Sequence, residues 1–139
     1  MTDKELLRHQ IDDAGYQLSK VFEGIEETSL DFRLTEKAMT PREILAHLSE
    51  CYLATVEMAA GREHSWGSYT APDSSWPALW NNTKELRDKA AEAALGADDF
   101  VLKGNSFIVA HDYYHVGQMC AVRLVRDANW DAYSIYNEG

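Results

Sequence analysis

The chain has 139 residues, 45% of them hydrophobic, and a formal net charge of −10 at pH 7. This length suits a single domain over residues 1–139, with a core that needs neither disulfides nor a structural metal. So acidic a surface repels phosphate backbones and anionic lipids, which argues against nucleic acid or a membrane surface as partner.

The N-terminal stretch MTDKELLRHQ lacks the apolar core of a signal peptide. No apolar run approaches the roughly 20 residues that span a bilayer. The two cysteines, Cys51 and Cys120, fall within apolar helical patterns, which favours buried thiols in a reducing compartment. We therefore expect a cytoplasmic protein.

The first predicted helix covers residues 4–25, where apolar residues recur at spacings of three and four on one face. These residues are Leu7, Ile11, Ala14, Leu18, Val21 and Ile25. His9 falls on the opposite face and is expected to be exposed.

The second predicted helix has the clearest start in the chain. Thr40 can cap it, Pro41 suits its first position, and Glu43 completes a capping box. Gly61 marks its end. Its inward face is predicted to hold Ile44, His47, Leu48, Cys51, Thr55 and Met58.

Residues 61–75 are rich in Gly, Ser, Pro and Asp, which predicts a loop. The third predicted helix begins near Trp76 and ends near residue 95, with Gly96 as its stop. Its apolar face is Leu79, Thr83, Leu86, Ala90 and Ala93.

The stretch DDFVLKG predicts a connection, and the fourth helix then runs from about residue 105 to residue 126. Its inward face is predicted to hold Phe107, His111, Tyr114, His115, Gln118, Val122 and Val125. Four helices of about five turns, with long connections and no period-two strand pattern, predict an all-α four-helix bundle.

Three histidines are predicted to point into this bundle. His111 and His115 lie about 40° apart on an ideal helix, and His47 faces inward from another helix. A histidine pair at i and i+4 can bind one ion, and a third ligand leaves an open coordination position. Buried imidazoles without partners cost free energy, and a metal removes that cost. Core histidines that are hydrogen-bonded to carbonyls or carboxylates remain the alternative.

Further candidates lie one helical turn from the histidines. Gln118 is predicted either to orient a ligand water or the Nδ1 of a ligand histidine, or to bond a helix end or loop. Glu50 is a candidate general base on a metal-bound water, although a solvated flank carboxylate is the simpler interpretation. Tyr114 is predicted to face inward and line the site.

Several other residues near the site have two interpretations each. Cys51 is either a soft ligand or a packed core thiol, with the latter favoured. Gly117 is expected to allow close packing of a neighbouring helix, and Asp112 to face solvent or a salt bridge. Three tryptophans, Trp66, Trp76 and Trp80, either cover the site or belong to the core.

The segments TPREILAHL and HDYYHVGQM together resemble the DinB-like superfamily of metal-binding four-helix bundles. In that family a histidine midway along the second helix joins a pair from a late HxxxH-x-G-Q motif. The matching positions here are His47, His111, His115, Gly117 and Gln118, and helix order agrees over nearly the whole chain. Val116 stands where the family often has arginine, which weakens any transfer of anion-binding properties.

The resemblance implies a divalent ion, nickel or zinc, although imidazole ligands suit copper and iron equally. It also implies a metal-dependent enzyme with a small-molecule or thiol substrate, since relatives include thiol-dependent S-transferases and a mycothiol-dependent isomerase. A hydrolase fits the same three-histidine site. Two alternatives stay open: a non-catalytic metal-binding or stress-response protein, and a purely structural bundle that forms a homodimer.

Overall fold

The structure is a computed structural model that describes residues 1–73 and 75–136, and over these ranges it contains helices and no strand. Helix α1 is Asp3–Phe22, α2 is Pro41–Ala59 and α3 is Trp76–Gly96. The last rod of the bundle joins α4 (Val101–Gly104), a π-helical turn (Asn105–Ala110) and α5 (His111–Arg126). Short 3-10 turns occupy Glu27–Ser29 and Ala132–Tyr136. The predicted all-α four-helix bundle is confirmed.

Helices α2 and α3 run in the same direction. Ser49 of α2 bonds Thr83 of α3, with 2.9 Å between their hydroxyl oxygens. Further along both helices, Val56 and Ala59 line one groove together with Glu92 and Ala93. The chain must therefore return along the whole bundle between α2 and α3, which explains the long connection after Ala59.

The α4–α5 rod runs parallel to α1. At one end, a Cβ built on Gly104 would lie 3.1 Å from Leu7 Cδ2 and 3.2 Å from Ala94 Cβ, so the side chains of α1 and α3 pack tightly against this glycine. At the other end, Arg123 donates to the carbonyl of Val21 at 2.9 Å. Ala94 lies near the end of α3 but next to the starts of α1 and the rod, so α1 and the rod run opposite to α2 and α3.

Both of the first two helices begin with a capping box. At α2 the predicted box is confirmed: Thr40 Oγ1 accepts from the Glu43 amide, and Glu43 accepts from the Thr40 amide. Thr2 and Glu5 form the same arrangement at α1. That helix ends at Phe22 rather than near residue 25, because the chain turns through Gly24 with a φ of +67°.

Thr40→Ala tests how much the α2 cap contributes. The variant leaves the Glu43 amide without its side-chain acceptor, so we expect a loss of about 1 kcal/mol in the free energy of unfolding. Urea denaturation measures it, with the exposed Thr35→Ala as the matched control. Equal stability of both variants would show that the box contributes nothing.

One hydrophobic core connects all the helices. All six residues of the first predicted apolar face are buried, five of them on α1 and Ile25 just beyond its end. Trp76 and Trp80 are partly buried and pack against this core, where both rings contact Phe22, whereas Trp66 is 57% exposed. No helix in the described part of the chain is both long and apolar enough to cross a membrane.

The π-helical turn sets the register of the last rod. Gly104 and Asp112 are both buried although they are eight residues apart, a separation that places them about 80° apart on an ideal α-helix. The wider π turn takes up this difference, so both residues face the core. The rod begins at Val101 and not near residue 105, because the last four residues of the predicted connection DDFVLKG are already helical.

Candidate metal centre

The structure brings the three predicted histidines together. His47 comes from the middle of α2, His111 is the first residue of α5, and His115 follows one turn later. His111 Nε2 lies 3.0 Å from His47 Nε2 and 3.0 Å from His115 Nε2. The ligand atoms of all three residues lie within 4.8 Å of one another.

This spacing fits a single ion. Two nitrogens that are each about 2.1 Å from an ion, at roughly a right angle, lie about 3.0 Å apart. Hydrogen bonding alone accounts for the cluster poorly, because a neutral ring nitrogen presents either one proton or one lone pair. His111 Nε2, however, has two nitrogen neighbours at 3.0 Å. A cation on the shared side of the rings would resolve the conflict.

Gln118 fixes the tautomer of His115. The Gln118 amide nitrogen donates to the Tyr114 hydroxyl at 3.2 Å, which turns its oxygen toward the histidine. That oxygen lies 2.7 Å from His115 Nδ1 and accepts its proton. Nε2 of the neutral ring therefore presents a lone pair to the cluster, as a metal ligand must.

The protein environment keeps the rings of the α5 pair neutral. Burial, and secondarily the neighbouring His47, lowers the pKa of His111 to about 4. Burial and the neighbouring His111 lower the pKa of His115 to about 4 as well, against the opposing effect of Gln118. Both rings are thus uncharged at pH 7, the form that binds metals.

His111 Nδ1 is the single buried side-chain nitrogen or oxygen without a partner in residues 1–73 and 75–136. Leaving such an atom unpaired costs free energy. The ring therefore lies where its Nε2 contacts require it, at the expense of Nδ1. His115 is 1% exposed, while His47 and His111 are partly exposed, so solvent reaches the cluster from their side.

The inward placement of Tyr114 was wrong. Its side chain is 63% exposed, and its ring meets His115 edge-on with 5.0 Å between centroids. The buried face of α5 is centred near Asp112, Val116 and Met119, and Tyr114 lies about 160° from Asp112 on an ideal helix. Val125, predicted for the same face, is 64% exposed.

Glu50 and Cys51 both lie near His47 in the chain. Glu50 Oε2 accepts from His64 Nε2 at 2.8 Å and from the Gly67 amide at 2.7 Å, so other groups already bind this carboxylate. Cys51 Sγ lies 4.0 Å from His47 Nε2. Burial raises the pKa of this thiol to about 11, so it is protonated at neutral pH.

Two neighbours of the histidines differ from the prediction. A Cβ added at Gly117 would meet nothing within 4 Å, so the expected close packing of a helix there was wrong. Asp112 is fully buried rather than solvated, and the alternative of a salt bridge holds because Arg87 contacts its carboxylate at 2.8 Å. His64 lies in the predicted loop 61–75, and no pattern in the sequence indicated that its ring contacts both Glu50 and Glu57 of α2.

Gln118→Leu is expected to weaken metal binding about 10- to 100-fold, the usual effect of removing a group that orients a ligand histidine. The variant keeps the approximate size of the side chain but frees His115 Nδ1. Titration of the metal-free protein with Ni²⁺ or Zn²⁺ measures the change in dissociation constant. Gln10→Leu on α1 is the control, because Gln10 is likewise partly buried and its amide oxygen accepts a hydrogen bond from Asn105. Equal affinities in both variants would contradict the role of Gln118.

Comparison of the chain with protein-family models, curated proteins and solved structures finds no match. No relative therefore identifies its family or its activity. The three-histidine cluster is the feature from which a function is inferred.

Proposed function

We propose that this chain is a DinB-like, metal-dependent enzyme whose divalent ion, nickel or zinc, is held by His47, His111 and His115. One observation carries the proposal: ring nitrogens from two helices converge within 4.8 Å, with the two shortest separations at 3.0 Å. The order of the ligands along the chain and the helical bundle support the family assignment.

Three protein ligands leave a position open for water or substrate. When bound by the three histidines, a divalent ion supplies Lewis acidity that lowers the pKa of a coordinated water or thiol. Partial exposure of His47 and His111 gives a small molecule access to that side. This arrangement suits an S-transferase that joins a thiol to an electrophile, or a hydrolase.

Tyr114 is proposed to contact the substrate. Its hydroxyl accepts a hydrogen bond from Gln118, so its own proton is available to a substrate oxygen. The ring stands edge-on to His115 and is mostly exposed, which places it where a substrate approaches the cluster. Gln118 then both orients His115 and positions Tyr114.

A non-catalytic metal-binding protein is the second candidate, and a specific observation favours it. Glu50, the candidate base, is bound by His64 and Gly67. The Cys51 thiol is protonated at neutral pH. A metal-binding protein needs the three histidines but neither of these groups.

Protein purified without an affinity tag distinguishes the candidates. We expect close to one nickel or zinc ion per chain, and consumption of a low-molecular-weight thiol with an electrophile that is lost in His47→Ala. Stoichiometric metal without turnover of thiols, esters or amides would favour the binding protein. A metal content far below one ion per chain, with no effect of added metal on Tm, would contradict both proposals.

A further inference from the structure

One histidine of the connection after α2 forms hydrogen bonds with two carboxylates of that helix. We call residues 61–73 the strap. His64 of the strap has Nδ1 2.9 Å from Glu57 and Nε2 2.8 Å from Glu50, and its side chain is 2% exposed. The imidazole is thus enclosed, with a carboxylate at each ring nitrogen.

The strap also makes polar contacts with both neighbouring helices. The Gly67 amide donates to Glu50 Oε2 at 2.7 Å. Asn82 of α3 donates to the Tyr69 hydroxyl at 2.6 Å. Glu50 lies one turn after His47, and residues at this spacing are neighbours on a helix surface. The strap therefore holds a carboxylate next to the face that carries a metal ligand.

Both contacts of His64 require the charged ring. An ionised carboxylate only accepts hydrogen bonds, and a neutral imidazole carries a single N–H, so two carboxylates are both satisfied only by imidazolium. The charged groups that act on the ring are Glu57 and Glu50, both on α2. The Trp66 ring also contacts the imidazole, with 4.7 Å between ring centroids.

We propose that the strap is a pH-responsive latch, closed by protonated His64, that withholds the Glu50 carboxylate from the metal centre and releases it on opening. Closing ties both nitrogens of His64 to α2 and engages Glu50 twice. Opening frees a carboxylate one turn from His47, where it can serve as a general base. Only this last consequence rests on the proposed metal-dependent function.

The pKa shifts agree with this direction. Burial lowers the pKa of His64, but the hydrogen bonds and charges of Glu57 and Glu50 outweigh it and leave the pKa raised. The hydrogen bond from His64 lowers the pKa of Glu50. The latch is thus fully closed below the ordinary histidine pKa of about 6.5 and opens as pH rises through the raised value.

Amide hydrogen exchange of Gly67 in the full, metal-free chain tests the latch. We expect its protection factor, corrected for the intrinsic rate at each pH, to fall about tenfold from pH 6 to pH 9, the effect of losing one charge-assisted hydrogen bond. His64→Gln should show low protection at both pH values. The exposed His9→Gln should behave as the wild type does.

Glu57→Gln separates a latch from a purely structural contact. A glutamine amide can donate to Nδ1 while Nε2–H still donates to Glu50, so neutral His64 satisfies both partners. Protection of Gly67 in this variant should therefore lose its pH dependence between pH 6 and pH 9. A wild-type protection factor that does not change with pH, or a Glu57→Gln profile that matches the wild type, would overturn the proposal. Because no metal is present, either outcome is independent of the metal-site proposal.

Discussion

Replacing His111 with alanine is expected to abolish the stabilisation that Ni²⁺ or Zn²⁺ gives the wild type. His111 Nε2 is the central atom of the cluster, at 3.0 Å from both other ligand nitrogens. Its removal leaves His47 and His115 as a two-ligand site. The metal-free variant should lose little stability, since the substitution also removes an unpartnered buried nitrogen and a crowded nitrogen contact.

The size of the effect follows from mass action. At a metal concentration 100 to 1,000 times the dissociation constant, the wild type gains about 2.7–4.1 kcal/mol. For a domain of this size that corresponds to a rise in Tm of roughly 10 °C. Differential scanning calorimetry with and without metal measures the rise, which should disappear in the variant.

His9→Ala is the matched control for this experiment. His9 lies on the exposed face of α1, away from the core, so its replacement should leave the metal-dependent rise in Tm unchanged. A full rise in His111→Ala would contradict the assigned ligands. Loss of the rise in His9→Ala would indicate that the metal stabilises the protein by binding elsewhere.

Much of the fold could be predicted because its signals are local. Apolar spacing on α1 and the capping box at Thr40 depend on residues within one or two turns, and both are confirmed. The histidines could be placed for the same reason: His47 lies on an amphipathic helix, and His115 is buried as its spacing from His111 suggests. Local periodicity therefore found the cluster before any tertiary contact was known.

The remaining features depend on distant contacts or on small changes of register. The buried face of α5 is centred near Asp112, whose partners are distant in the chain, so Tyr114 and Val125 of the predicted face are exposed. His64 meets Glu50 only because the strap folds back along α2. No local pattern indicates either event.

The buried position of Asp112 was the largest omission, and its partners explain why. Tyr52, which donates to it, lies 60 residues away in the chain, and Arg87 lies 25 residues away. A single acidic residue between a histidine and two tyrosines carries no sign of either contact.

Asp112 is the centre of a network that joins all four helical rods. Arg87 of α3 donates to the Asp112 carboxylate through Nε at 2.9 Å, and its terminal nitrogen Nη2 lies 2.8 Å from the same carboxylate oxygen. That nitrogen also donates to the carbonyl of Ile11 on α1 at 2.6 Å, while Tyr52 of α2 donates to the other carboxylate oxygen. Gly15 of α1 leaves space for the Arg87 guanidinium, because a Cβ at this position would lie 2.6 Å from it.

Asp112→Leu is expected to lower the free energy of unfolding by about 3–5 kcal/mol, because it leaves the largely buried Arg87 guanidinium without its carboxylate. Arg87→Met should cost a similar amount, since it leaves the fully buried carboxylate of Asp112 unpaired. Urea denaturation of the metal-free protein measures both changes. Asp12→Ala is the control, because Asp12 pairs with Arg8 at 4.0 Å on the exposed side of α1 and should contribute little.

The double variant Arg87→Met/Asp112→Leu separates the ion pair from simple packing. Each single substitution leaves a buried charge unpaired, whereas the double substitution leaves none, so its cost should be clearly smaller than the sum of the two. Additive costs would show that the two side chains act only as independent packing elements. A coupling of more than about 1 kcal/mol would establish that the charge pair, rather than the volume of its side chains, joins the helices next to His111.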